Sequence, residues 1–203
     1  MAETLTQYPE DFLRCVDFHG HVCPGLAIGY AAAKTARRIL GDQRARDEEI
    51  VAIVENDSCS VDAIQVLMGC TFGKGNLIFR DWGKQVFTFL DRGSGKGLRV
   101  CFEGPIPGLK ERQALRAKIE AGTATEEEKK EFQVLREKAV LDLVQSDPER
   151  FFQIREVRIP FPPFARIVDT VRCAVCGEYT MTTRLASTHR GDVCQECAAE
   201  DNT

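Results

Sequence analysis

Four cysteines in the last part of the chain have the spacing of a metal site. Cys173 and Cys176 form one Cys-x-x-Cys pair, and Cys194 and Cys197 form a second pair 17 residues later. Each pair directs two sulfurs at one point, and two pairs together supply the four tetrahedral thiolates of a structural Zn²⁺ site. Two redox-active pairs are the alternative, but such pairs belong in a thioredoxin-like βαβ unit. The spacing predicts a zinc finger.

The charge of this segment indicates what such a finger would contact. From Cys173 onward there are two basic residues against five acidic ones, a formal charge of −3. Modules that follow a phosphate backbone need clustered lysines and arginines, and the whole chain has a net charge of −4. We therefore expect contact with protein and not with nucleic acid.

A second set of chemically capable residues lies near the start of the chain. His19 and His21 alternate with glycine, and an extended segment would place both rings on one face as metal ligands, or as a ligand and a base. Cys23 precedes Pro24, which suits the first position of a helix. A thiol at a helix N-terminus is stabilised as thiolate, so Cys23 is expected to be acidified.

The same arrangement recurs after the apolar run 50–54. Cys59 directly precedes a predicted helix that carries Asp62 in its first turn, and Cys70 and Lys74 follow that helix within a glycine-rich stretch. We predict one cleft that holds a metal or a reactive thiol. Its candidate ligands are His19, His21, Cys23, Cys59 and Cys70, and its candidate catalytic residues are Cys23, Cys59, Asp62 and Lys74.

Each of these residues also has an ordinary structural interpretation. Free cysteines are often small core residues, which is the interpretation we favour for Cys15 and Cys101. Asp62 can be a first-turn helix charge, and Lys74 can belong to a hairpin turn. The co-occurrence of histidine, thiol and glycine at the ends of predicted elements favours a site.

The elements that would position these residues indicate an α+β fold. The hydrophobic pattern predicts a mixed-sheet core with flanking helices, an αα-hairpin whose second helix begins at the capping box Thr125–Glu128, and the small finger. The proline-rich stretch 159–164 is either a hinge or an edge segment packed on the core. The predicted domains are a core, residues 1–165, and a four-cysteine module, residues 166–203. The expected helices cover 25–40, 60–68 and 109–120, and the expected strands cover 50–54, 77–79, 86–90 and 98–102.

Composition limits the protein class further. No stretch is apolar and long enough to predict a transmembrane helix, and the first residues lack the features of a secretory signal. Nine cysteines are an odd number, which argues against a complete disulfide framework. We expect a cytoplasmic protein without a membrane partner.

Three motifs together resemble the FmdE family of formylmethanofuran dehydrogenase proteins: Phe18-His-Gly-His-x-Cys-Pro-Gly25, Cys59-Ser-x-Asp-Ala-x-Gln65 and Gly69-Cys-Thr-x-Gly-Lys-Gly-Asn76. The last cysteine pairs resemble the treble-clef zinc finger of many members. The resemblance implies an α+β core that forms a homodimer and a cleft lined by His21, Cys23, Cys59 and Cys70. It also implies an association with the operon of a molybdenum or tungsten enzyme of one-carbon metabolism in anaerobes.

Three functions are compatible with these observations. The first is a metal-binding accessory protein of formylmethanofuran dehydrogenase-type metabolism, with zinc in the finger, a second zinc or another transition metal in the core, and an oxidoreductase as partner. The second is a small-molecule metalloenzyme that uses the His/Cys cleft. The third is a regulatory binding module. The enzymatic question stays open at this point.

Overall fold

The computed structural model describes residues 7–106 and 108–200. They form two compact units, of which the first ends at Phe164 and the second begins at Ala165. The architecture confirms the predicted α+β class.

A five-stranded mixed sheet forms the centre of the first unit. The strands are β1 (Ile50–Val54), β2 (Leu77–Phe79), β3 (Val86–Asp91), β4 (Lys96–Phe102) and β5 (Phe152–Val157), in the order β2-β1-β3-β4-β5. β1 and β2 are parallel, and every other neighbouring pair is antiparallel. The sequence interpretation missed β5, because its alternation with charged residues is that of an exposed edge strand.

Helices cover one face of this sheet. They are α1 (Glu10–His19), α2 (Pro24–Leu40), α3 (Ser60–Met68), α4 (Leu109–Glu120) and α5 (Glu126–Gln145), with a short 3₁₀ turn at Pro148–Arg150. Alternate residues of β1 divide between the two faces: Ala52 and Val54 belong to the main core, and Val51 and Ile53 face the other side. Helix α1 was not predicted, and it changes the geometry expected for His19.

The central helix α2 owes its burial to small side chains. A run of alanines, Ala31 to Ala33 with Ala36, is buried, and Gly29 allows α3 to approach very closely. A Cβ atom at Gly29 would lie only 1.9 Å from the carbonyl oxygen of Ser60. No side chain fits there, so this glycine fixes the contact between α2 and the start of α3.

The predicted αα-hairpin is present as α4 and α5. The Thr125 hydroxyl accepts a hydrogen bond from the Glu128 backbone at 3.2 Å, and the Glu128 carboxylate accepts one from the Thr125 backbone at 3.0 Å. The C-terminal half of α5 packs into the core through Val140 and Leu143.

The proline-rich stretch lies on the opposite face of the sheet. Phe161 packs against Val51, Ile53 and Leu90, and the Arg92 guanidinium donates to the Pro162 carbonyl at 2.7 Å. Of the two interpretations given for this stretch, the structure shows the packed segment.

The second unit is a small cysteine-rich module. Two hairpins, β6 (Thr170–Arg172) with β7 (Tyr179–Met181) and β8 (Leu185–Thr188) with β9 (Gly191–Cys194), are followed by the short helix α6 (Gln195–Glu200). A Cys-x-x-Cys turn, then a hairpin, then a short helix is the order of elements in a treble-clef finger. Its apolar core is small and contains Cys173, Val193 and Cys197. In the described part of the chain, no helix has both the length and the apolar character of a membrane span.

Candidate metal centres

Three helix ends meet in the first unit and bring three of the predicted residues together. His19 is the last residue of α1, Cys23 is the N-cap of α2, and Cys59 is the N-cap of α3. Their ligand atoms all lie within 4.8 Å of one another. The chain therefore assembles one nitrogen and two sulfur donors from segments that are up to 40 residues apart in sequence.

Local capping fixes the first two donors. Gly20 ends α1 in the left-handed region at φ 91° and donates its N–H to the Val16 carbonyl at 2.7 Å. The chain then turns into α2, where the Cys23 sulfur accepts a hydrogen bond from the Leu26 backbone at 3.3 Å. The extended geometry predicted for the His-Gly-His segment is wrong, because His19 completes a helix.

A polar loop positions the third donor. The Asn56 side chain donates to the Lys84 carbonyl at 2.8 Å and accepts from the Ser58 backbone at 3.1 Å and the Ser60 hydroxyl at 3.1 Å. These bonds set the path from β1 to α3 and so place Cys59. Gly25 leaves room for it, since a Cβ atom there would lie 3.1 Å from the Cys59 Cβ and 3.9 Å from the Cys23 sulfur.

Asp62 orients the histidine. Its Oδ2 lies 2.7 Å from Nδ1 of His19, and its Oδ1 accepts from the Gln65 amide at 3.4 Å. A proton on Nδ1 leaves the lone pair of Nε2 directed at the sulfurs, and Nε2 lies 3.7 Å from the Cys23 sulfur. A histidine that binds a metal usually donates its other ring N–H to a carboxylate, which fixes the orientation of the ring.

The three donors fit a tetrahedral ion in type and spacing. With Zn–S near 2.3 Å and Zn–N near 2.0 Å, the edge between a sulfur and a nitrogen ligand is about 3.5 Å. The observed 3.7 Å between Cys23 and His19 is close to that value. Three protein donors leave one coordination position for water or another molecule.

Three other residues expected in the cleft lie outside this group. His21 is exposed and stacks on His19, with ring centroids 4.4 Å apart. Cys70 is fully buried and donates to the Ile50 carbonyl at 3.4 Å, and Lys74 donates to the Ala45 and Arg46 carbonyls at 3.2 and 3.3 Å.

The loop that carries Cys70 and Lys74 has a structural anchor. The buried Asn76 amide donates to the Asp47 and Ile50 carbonyls at 2.9 Å, and its oxygen accepts from the Thr71 backbone at 2.9 Å. In this structure the glycine-rich motif closes the turn before β2 and contributes no donor to the His/Cys group.

The ionisation expected for Cys23 also differs. Burial raises the pKa of the Cys23 thiol to about 11, and the neighbouring Cys59 adds to the rise, although the Leu26 N–H opposes it. Burial and the neighbouring Cys59 therefore oppose the acidification that the position at a helix N-terminus favours. For His21, desolvation and the nearby His19 and Arg136 lower the pKa.

The second unit brings its four cysteines into one group. Cys173, Cys176, Cys194 and Cys197 offer sulfurs within 4.8 Å of one another, and the Cys176 and Cys194 sulfurs are 3.9 Å apart. The tetrahedral edge for a Zn–S bond near 2.3 Å is about 3.8 Å. Backbone N–H groups, first that of Cys194, lower the pKa of Cys173 to about 6. The neighbouring sulfurs, first Cys194, raise the pKa of Cys197 to about 12. Four thiolates at this point would repel one another, and a bound cation would offset that repulsion, so the four cysteines could hold a metal ion.

Comparison with known proteins identifies the family of this chain. Residues 18–153 match the family model described as "FmdE, Molybdenum formylmethanofuran dehydrogenase operon". The chain belongs to the FmdE family. A "tungsten formylmethanofuran dehydrogenase subunit e (fmde)-like protein" from Syntrophus aciditrophicus has the same fold as this FmdE chain. The TM-score is 0.62 over 96% of this chain and 94% of that one, at 23% identity.

A curated relative is similar at the sequence level. The "Probable S-adenosyl-L-methionine-binding protein" of Archaeoglobus fulgidus is 32% identical over 194 residues, which are 92% of this FmdE chain and 52% of the relative. The chain therefore spans about half the length of that protein.

Sequence reasoning missed two arginines beside the core group. Arg136 of α5 donates to the Val22 carbonyl, and Arg112 of α4 is buried next to the same region. The sequence does contain an indication of them, because each hairpin helix has an arginine on its apolar side, where an apolar residue such as leucine is usual. The hairpin was interpreted only as a structural element with a solvated face.

Proposed function

We propose that this FmdE chain is a metal-binding accessory protein of formylmethanofuran dehydrogenase-type one-carbon metabolism. The observation that carries the proposal is the group of His19, Cys23 and Cys59 with Asp62 behind the histidine. The match to a family defined by the operon of that dehydrogenase supports the metabolic context. The proposed location is the cytoplasm.

Zinc is the proposed ion at both centres. Thiolate and imidazole donors suit Zn²⁺, and four thiolates form its usual structural site. The core centre would hold its ion with one open position, and the finger would hold its ion in a closed set of four sulfurs. The core ion is then the exchangeable or reactive one, and the finger ion is structural.

The finger is the proposed contact with a partner oxidoreductase. Three of its large side chains, those of Val175, Tyr179 and Met181, are exposed. The Arg172 guanidinium lies 4.6 Å from the centre of the Tyr179 ring. Exposed aromatic, methionine and arginine side chains are enriched in protein interfaces, whereas the acidic charge of the module disfavours nucleic acid. We also propose that the core forms a homodimer, which light scattering at micromolar concentration tests directly.

The open position of the core centre favours one second candidate function, a small-molecule metalloenzyme. A three-ligand zinc ion can bind and polarise water or a substrate atom. S-adenosyl-L-methionine is the first ligand to test, because the 32%-identical relative is described as its probable binder. Calorimetric titration of the metal-loaded and metal-free protein separates binding at the ion from binding elsewhere.

Metal analysis of three variants tests the main proposal. We expect about two zinc ions per chain by plasma mass spectrometry, one in Cys176→Ser and one in the double variant His19→Ala, Cys59→Ala. Cys101→Ser is the matched control, because this thiol lies outside both groups, and it should retain both ions. The core centre would be refuted if the unaltered protein held a single zinc ion and the double variant still held it. Two ions retained in Cys176→Ser would refute the finger site.

A further inference from the structure

A cavity of about 490 Å³ lies between the N-terminus of α2 and the αα-hairpin. Its walls include Cys23 and Pro24 on one side and residues of α4 and α5 on the other. Ligand pockets for small molecules have volumes of about 300 to 1,000 Å³. The cavity is therefore large enough for a small molecule that reaches one of the core sulfurs.

A buried arginine with unpaired N–H donors lies in this wall. Arg112 is only 9% exposed, and its Nε and Nη2 atoms have no hydrogen-bond partner among residues 7–106 and 108–200. Leaving buried donors of a charged group unpaired is strongly unfavourable. Burial lowers the pKa of Arg112, and the cation of Arg136 lowers it further. Both causes indicate a missing negative charge.

The other charged groups of the cavity do not supply that charge. Arg116 is paired with Glu120, with 2.7 Å between Nε and Oε1. The Arg136 guanidinium donates a hydrogen bond to the Val22 carbonyl, which carries no charge. Three arginines thus face one carboxylate, and the positive end of the α2 dipole adds to them.

Apart from Gln113 and Glu120, the rest of the wall is apolar. Ile119 and Phe132 of the hairpin and Pro24 of α2 line the cavity beside the arginines. A guanidinium offers paired N–H donors whose spacing matches two oxygens of a carboxylate or a phosphate. A mainly apolar wall that also carries arginines favours a molecule with an apolar body and one anionic head.

We propose that this cavity binds a small molecule through a carboxylate or phosphate head held by Arg112 and Arg136, with its apolar body against Ile119 and Phe132. The ligand's role, though not its binding, rests on the proposed function of the core centre. Because Cys23 belongs to both the cavity wall and the His/Cys group, the bound molecule would lie next to the open metal position.

Calorimetric titration of the full chain with three probes tests the pocket. Phenyl phosphate and phenylacetate share a ring and differ in the anionic head, and benzyl alcohol is the neutral match. We expect at least one anion to bind once per chain and benzyl alcohol not to bind. The stronger anion identifies the head group. Binding of neither anion, or equal binding of benzyl alcohol, would overturn the proposal.

Paired variants locate the binding. Arg112→Gln should weaken the affinity for the bound anion at least tenfold, and Lys110→Gln, the same charge change on the exposed side of α4, less than twofold. Gln113→Glu adds a carboxylate at an exposed position of the wall and should weaken binding without disturbing the buried arginine. Equal effects of Arg112→Gln and Lys110→Gln, or unchanged affinity in both wall variants, would overturn the pocket.

The same titrations on metal-free protein separate the proposed anion pocket from the proposed metal centre of the core. Binding that persists without metal and depends on Arg112 supports the pocket even if the core group holds no ion. Binding that disappears with the metal and is insensitive to Arg112→Gln belongs to the ion and contradicts the pocket.

Discussion

Asp62 offers a direct test of the core centre because it contacts the histidine and none of the sulfurs. In Asp62→Asn the amide oxygen can still accept from Nδ1 of His19, but the negative charge at 2.7 Å is lost. Removing a carboxylate behind a metal-bound histidine weakens metal affinity about 10- to 100-fold, or about 1.4 to 2.7 kcal/mol. The Asp62 side chain is 34% exposed, so water replaces part of the interaction. We therefore expect Asp62→Asn to weaken the metal affinity of the core centre about tenfold, and Asp62→Ala to weaken it by a factor nearer 100.

The assay needs the core ion alone. In a Cys176→Ser background, where only the core centre is expected to hold metal, chelator competition gives its affinity for Zn²⁺. Asp57→Asn is the matched control, because this exposed carboxylate lies in the same loop, two residues before Cys59. Core affinity that changes less than twofold in Asp62→Asn, or that falls equally in Asp57→Asn, would refute the assignment of Asp62 as the orienting group.

Three further predictions concern the fold around the centre. Gly29→Ala should destabilise the protein by about 3 kcal/mol or more in urea unfolding, because the new Cβ overlaps the Ser60 carbonyl; a loss below about 1 kcal/mol would contradict this contact. Glu55→Gln should destabilise by about 3 kcal/mol, since it removes the buried negative charge that the Arg99 guanidinium faces; Glu156→Gln on the exposed face is the control, and equal losses would refute the role of burial. Burial raises the pKa of Cys70 to about 12, so iodoacetamide at pH 8 should label it only after unfolding. Because the unfolded thiol ionises near pH 8.5, Cys70 should also lower stability as pH rises above that value; rapid labelling of Cys70 itself in the native protein, located by peptide mass spectrometry, would contradict both statements.

Much of the fold followed from hydrophobic pattern alone. β1 is a continuous apolar run, β3 is apolar except for Thr88 and Asp91, and the capping box marked the start of α5. These elements were therefore predictable to within one or two residues. Helix α1 was missed because only two of its residues, Phe12 and Cys15, are buried. Strand β5 lies at the sheet edge, where pairing with β4 and not apolar content decides its conformation.

The site was predictable only in part for a different reason. Cys59 and Cys70 both lie at a junction between a helix and a loop near glycine or serine, so their local sequences do not separate a ligand from a core thiol. The difference is tertiary: Asn56 directs one loop toward the histidine, and Asn76 anchors the other beside the Ile50 carbonyl. A single buried amide in each loop decides which thiol reaches the centre.

The two cysteine groups differ in what holds them together. In the finger, the ligands themselves are the core: Cys173 and Cys197 are buried mainly around Val193, so little apolar packing would remain without a metal. In the first unit, the three donors sit on ends of helices whose positions are set by the contact of Gly29 with Ser60 and by the main core. A centre preorganised by packing can release or exchange its ion, or bind a ligand at the open position, without unfolding. This difference in packing supports the proposal that the His/Cys group is the reactive centre and that the four-cysteine group is structural.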